Sequence, residues 1–165
     1  MSLPVGQWPA SYQARLDYLG ELVPALAKKR NPFRVLEAGA GATSNFTFPD
    51  HSEITGIDLS DQQLDRNSRL AHRVTGDLQT HDFEPASFDM VVCWNVLEHL
   101  RDPAAAIDRM TTALAPGGML VVGSPNLWSA KGLLTRFTPH RFHTWFHRRI
   151  LGRKNAGVGD VGPFR

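Results

Sequence analysis

Arg34-Val35-Leu36-Glu37-Ala38-Gly39-Ala40-Gly41-Ala42-Thr43 is the stretch whose reading decides the fold. A short apolar run passes an acid and then reaches two glycines separated only by alanine. A strand that leaves its sheet through residues without bulky side chains lets backbone N–H groups come close to a ligand. Glu37 stands where the strand ends, placed to accept hydrogen bonds from the loop or from a cationic ligand. A Gly-x-Gly alone also fits an ordinary strand-to-helix turn, so its meaning here depends on the downstream chain.

Upstream, residues 11–30 read as an amphipathic helix, with Leu16, Leu19, Leu22, Val23, Leu26 and Ala27 at three- and four-residue steps. Pro24 is expected to interrupt it, and Asn31-Pro32 to end it. The helix reads as a layer over a sheet, with Tyr12 and Arg15 as alternative contacts for a ligand carboxylate.

Downstream, Ile54 to Asp58 reads as a second strand, Asp61 to Leu70 as a polar helix and Arg73 to Asp77 as a third strand. Met90 to Trp94 reads as a fourth strand and Pro103 to Ala115 as a helix with proline at its start, where a fixed φ is favourable. Pro116-Gly117-Gly118 then turns the chain into a fifth strand, Met119 to Gly123. Seventeen steps separate Gly41 from Asp58, and Pro49 falls among them, so the first connecting helix must be short. Strands alternating with helices predict an α/β, doubly wound, mainly parallel Rossmann-like sheet with helices on both faces.

Acids recur at the strand ends: Glu37, Asp58 and Asp77, with Asn95 after the fourth strand. In a doubly wound sheet these positions converge on the carboxyl-edge crevice, where ligands bind. An acid after the second strand can accept both ribose hydroxyls. One after the third can accept from an exocyclic amine. A nucleoside fits such a set.

These segments carry a resemblance. Val35 to Gly41, Gly56-Ile57-Asp58-Leu59-Ser60, Gly76-Asp77-Leu78, Phe88 to Val92 with Leu97-Glu98-His99-Leu100, and Leu114-Ala115-Pro116-Gly117-Gly118 resemble class I S-adenosylmethionine-dependent methyltransferases. The small-molecule branch labelled type 11 is the most similar, over roughly residues 30–126. The resemblance implies S-adenosyl-L-methionine as cofactor. Gly39, Ala40 and Gly41 would flank its methionine part, Asp58 and Leu59 its ribose, and Asp77 and Leu78 its adenine. Asn95 and Val96 would line the floor beneath the sulfonium, and Glu37 would orient the glycine loop. His99 is the nearest candidate base, with packing of the adjoining loop as the alternative role, so no catalytic residue is assigned.

Two departures accompany it. Ala42 stands where the family commonly has a third glycine. After Ser124 no clear strand pair supplies the antiparallel hairpin that normally completes the sheet, which reads as a minimal or truncated domain, or as strands supplied from elsewhere.

Composition sets the outer bounds. The chain has 165 residues, 42% apolar and 21% charged, the proportions of a globular domain. It divides at about residue 126 into a Rossmann-like domain (1–126) and a C-terminal segment (127–165). The first part holds ten Lys/Arg against fifteen Asp/Glu, and the second holds eight against Asp160 alone. That basic segment interleaves Trp128, Phe137, Phe142, Trp145 and Phe146, and reads as acceptor-side or edge-covering, with nucleic acid disfavoured. His140, His143 and His147 share a helical spacing, but no carboxylate or cysteine joins them and no metal is assigned. Cys93 reads as a buried side chain and excludes an internal disulfide. No apolar run reaches membrane-spanning length and no signal pattern opens the chain, so the expected location is cytoplasmic.

Three functions remain in view from these residues. The leading one is methyl transfer to a small-molecule or lipid-linked acceptor. A catalytically silent cofactor-binding subunit is the second. A nicotinamide-dependent oxidoreductase is the third, disfavoured by Ser44 at the last fingerprint glycine and by Asp77, which has no task there. The fifth strand would be left with an open edge, to be covered by the basic segment or by a second copy in a homodimer.

Overall fold

A computed structural model describes residues 11–44 and 46–124. Helix α1 (Tyr12–Ala27) precedes strand β1 (Phe33–Ala38), and β2 (Ser52–Asp58), α2 (Asp61–Arg66) and β3 (His72–Thr75) come next. Strand β4 (Phe88–Trp94), a 3₁₀ turn (Leu97–His99), α3 (Pro103–Ala113) and β5 (Leu114–Gly123) complete the described chain. The five strands form one sheet in the order β3-β2-β1-β4-β5, with every neighbouring pair parallel. The doubly wound expectation holds. Where the hairpin was sought, the chain lies outside the described residues.

Alternation along the strands builds two cores, because successive side chains point to opposite faces. Phe33, Val35, Ile54, Met90 and Val92 bury one face beneath Leu19, Val23 and Ala27 of α1 and Leu64 of α2. Leu36, Ala38, Ile57, Val91 and Cys93 bury the other beneath Ala106 and Met110 of α3. Each large side chain so buried contributes about 1.5–3 kcal/mol relative to exposure. Cys93 is inert as expected: burial first, and the nearby Glu98 carboxylate second, push its thiol up to about 12.

Four local expectations change. Pro24 does not divide α1, which runs unbroken from its cap at Ser11, whose Oγ accepts the Ala14 N–H at 3.2 Å. The proline faces solvent, while Leu19, Val23 and Ala27 on the buried face hold the helix across it. Helix α2 spans six residues rather than reaching Leu70, because Asn67 leaves helical geometry and turns inward. No helix appears among the described residues between β1 and β2; Ser44 is bound there to Glu37 and Asn67 instead. Strand β5 starts directly after α3, and Pro116-Gly117-Gly118 forms an irregularity inside it, with Gly117 at φ +71°.

At the amino edge of the sheet, Asp89 is buried and ties several elements together. It pairs with Arg30 just beyond α1 and accepts the Arg34 N–H at 2.9 Å. Arg30 also reaches the Pro116 carbonyl at 3.3 Å. This knot lies at the end of the sheet opposite Glu37, Asp58 and Asp77.

Candidate functional site

Strand order reverses between β1 and β4, and in open parallel sheets the crevice beyond the carboxyl ends at such a point takes the ligand. Gly39 leaves β1 at φ +72° and Gly41 adopts φ +53°, left-handed backbone that glycine takes up without strain. A Cβ on Gly39 would stand 2.3 Å from Val96 Cγ2, so only glycine lets the two segments meet. Glu37, Ala38, Gly39, Ala40, Phe46, Val92 and Trp94 line a small pocket here. Phe46 meets Trp94 edge-on, with ring centroids 5.1 Å apart.

The N–H groups of the glycine loop are already used. Gly39 and Ala40 donate to the Ile57 carbonyl at 2.8 and 3.1 Å. Gly41 donates to Asp58 Oδ2 at 3.0 Å, and Asp58 Oδ1 accepts from Ser60 N–H at 3.0 Å. The glycines therefore offer close approach rather than free donors. Each Asp58 oxygen accepts one bond in the structure and keeps a lone pair for another. Next to it, Leu59 is 73% exposed, an apolar side chain left in solvent at the sheet's carboxyl edge.

Glu37 is buried and accepts the Ser44 hydroxyl at 2.5 Å. Burial raises its pKa, with the Ser44 bond and the Arg69 charge pulling the other way. Asn67, also buried, donates to the Ala40 carbonyl at 3.3 Å and contacts Ser44. Arg73 secures Asn67 in turn by donating to its carbonyl at 3.0 Å. Glu37, Ser44 and Asn67 thus form one polar frame behind the loop.

Asp77, after β3, accepts from the side chain and then the backbone of Gln79, and these bonds, the side-chain one foremost, hold its carboxyl below the usual carboxylate range. The Leu78 side chain is buried in the second core, which leaves only its backbone toward the crevice. Asn95 is exposed at φ +56°, a conformation asparagine tolerates better than most residues, with its N–H on the Gly123 carbonyl at 2.7 Å. Val96 packs on Gly39 and on the second core. All ten residues singled out in the sequence fall at or just beyond the carboxyl ends of β1, β2, β3 and β4.

Sequence reasoning missed Asn67, Phe46, Trp94 and Gln79. A lone Asn at a helix end and a Gln in a turn carry no pattern, and an aromatic in a loop (Phe46) or at a strand end (Trp94) reads as core. In the sequence Ser44 reads only as the residue standing at the last fingerprint glycine. Among the described residues no group of three or more His, Cys, Asp and Glu could hold a metal, and no helix is long and apolar enough to cross a membrane. The His140, His143 and His147 set lies outside the described residues.

Residues 36–120 match the family profile described as "Methyltransferase domain". The ubiquinone biosynthesis O-methyltransferase of Xylella fastidiosa strain 9a5c is 31% identical over 122 residues, covering 68% of this chain and 48% of that protein. The enzyme of the same name from Idiomarina loihiensis is 35% identical over 104 residues, 56% of this chain and 42% of that one. The chain spans about half the length of the curated relatives it matches. Among solved structures, the N-methyltransferase NodS from Bradyrhizobium japonicum WM9, in complex with S-adenosyl-L-homocysteine, is 28% identical with a TM-score of 0.51, covering 66% of this chain and 60% of NodS. The profile spans more than half of the chain, over the same strands, glycine loop and acids that build the crevice. The chain belongs to the class I S-adenosylmethionine-dependent methyltransferase family.

Proposed function

We propose that this chain binds S-adenosyl-L-methionine at the carboxyl edge of its sheet and directs methyl transfer to a small-molecule or lipid-linked acceptor. The observation that carries the reading is the juxtaposition of Asp58, at the end of β2, and Asp77, just beyond the neighbouring strand β3, with the glycine loop of β1. In this reading Asp58 holds the ribose hydroxyls with its spare lone pairs, and Leu59 covers the nucleoside. Asp77 and the Leu78 backbone meet the adenine. Gly39, Ala40 and Gly41 give the methionine part its close approach, Asn95 and Val96 form the floor, and Glu37 steadies the loop through Ser44. When bound, the cofactor supplies the electrophilic carbon. The protein's part is to align an acceptor in line with that carbon and exclude water, effects worth up to about 7–11 kcal/mol. Relatives named for O-methylation in ubiquinone biosynthesis favour a hydroxyl-bearing, lipid-linked acceptor. The reading keeps the protein in the cytoplasm. It assigns the open edge of β5 to the basic segment 127–165 or to a second copy of the chain.

Calorimetric titration tests the reading. S-adenosylmethionine and S-adenosylhomocysteine are expected to bind in the micromolar range, and NAD not at all. Asp58→Ala should weaken both sulfur ligands by roughly ten- to hundredfold, because hydrogen bonds to charged groups contribute about 1.5–3 kcal/mol. Binding of NAD with no response to either sulfur ligand would overturn it.

A further inference from the structure

Gln79 spans two parts of the fold. Its side-chain amide donates to both Asp77 oxygens, at 2.9 Å to Oδ1 and 3.1 Å to Oδ2. At its other end, Oε1 accepts the backbone N–H of Asp102 at 2.7 Å. The orientation of the carboxamide is fixed by its neighbours: a carboxylate offers only acceptors, and a peptide N–H only a donor. Asp102 is the N-cap of α3, with Oδ1 accepting the Ala105 N–H at 3.0 Å. One side chain therefore links the acid after β3 to the first turn of the helix between β4 and β5.

A carboxamide NH2 and the exocyclic amine of adenine offer a carboxylate the same thing, a pair of polarised N–H bonds in a plane. Gln79 fills the Asp77 carboxylate with that chemistry from within the chain. Its 2.9 and 3.1 Å bonds take one acceptor position on each oxygen, and the Gln79 backbone N–H takes another on Oδ1 at 2.9 Å. Oδ2 keeps one further acceptor position, but an adenine amine that engages Oδ1, or both oxygens at once, has to displace Gln79.

We propose that Gln79 is a built-in competitor for the adenine amine, displaced from Asp77 when the cofactor binds and thereby releasing the Asp102 N–H at the start of α3. This rests on the cofactor reading under Proposed function. Cofactor affinity is then lowered by the fraction of molecules in which Gln79 holds Asp77, as for any ligand whose competent state is partly populated. Adenine occupancy is also reported to the segment from Asn95 to Asp102, which carries Val96 and His99, because Gln79 contacts the end of that segment directly.

The test uses the full chain. Gln79→Met keeps the length of the side chain but has no N–H donor, and Gln79→Ala removes it altogether; thermal melting checks that each is folded. S-adenosylhomocysteine should bind both variants about three- to tenfold more tightly than the parent. The gain should vanish when Asp77→Ala is added, and when the probe is the hypoxanthine analogue of the ligand, which lacks the amine. In the parent, hydrogen exchange at the Asp102 amide should accelerate on saturation with S-adenosylhomocysteine. Weaker or unchanged binding by folded Gln79 variants, or an Asp102 amide that exchanges no faster with ligand, overturns the competitor while leaving the cofactor site standing. Failure of the parent and every variant to bind S-adenosylhomocysteine sinks the cofactor reading and the competitor with it.

Discussion

Glu37 is held as a buried acid against the cost of its own desolvation. Its surroundings offer one hydroxyl, from Ser44, and the positive charge of Arg69, and burial still raises its pKa. A raised folded value means that the native state binds a proton more readily than the unfolded chain. Stability contributed by the neutral form is therefore complete at low pH and is lost as pH rises from the ordinary carboxylate range through the raised value. Glu37→Gln keeps an acceptor for Ser44 and removes the charge. Its melting temperature should exceed the parent's at neutral pH, and the gap should close on acidification; equal melting curves across that range would show that the burial cost is met elsewhere. A higher melting temperature for Glu37→Gln would mark Glu37 as a residue kept at a cost in stability, as binding sites often are.

At the scale of elements, the amino edge of the sheet is a stability device. Asp89 joins the end of α1, the start of β1 and the irregular part of β5 through Arg30 and the Arg34 N–H. Removing Asp89 leaves the partly buried Arg30 guanidinium and the Arg34 N–H without their acceptor, a loss of about 1–3 kcal/mol. Asp89→Ala should lower unfolding stability by that amount in denaturant titration without moving any residue of the carboxyl-edge crevice. A change below about 1 kcal/mol would place the pair among solvent-screened surface contacts. Helix α1 shows the same priority of packing over local preference. An interior proline costs about 3 kcal/mol in an isolated helix, yet burial of Leu19, Val23 and Ala27 carries α1 through Pro24.

For the whole molecule, the outer edge of β5 has no strand partner among the described residues, and Val122 there is 42% exposed. Unpaired strand edges are templates for association unless something covers them. Residues 1–126 carry an acidic balance and residues 127–165 a basic one, so charge favours the segment as the cover. Light scattering should then give a mass that does not change with concentration, and limited proteolysis should cut the segment slowly. A concentration-dependent dimer would assign the edge to a second copy. A constant monomer whose segment is cleaved freely without loss of solubility would defeat both.

The sequence by itself determined the sheet, its parallel winding and the crevice. Those come from alternating apolar runs, glycines where no Cβ fits and acids spaced one strand–helix unit apart, all of them local signals with a fixed period. Tertiary structure alone decided the rest. Whether Pro24 breaks a helix depends on what its other face buries, and where α2 stops depends on Asn67 being drawn toward the loop of β1. The frame of Glu37, Ser44 and Asn67, and the bridge from Asp77 through Gln79 to Asp102, join residues from separate elements. A polar side chain's partner is set by the packed geometry of the fold, and no spacing along the chain encodes it.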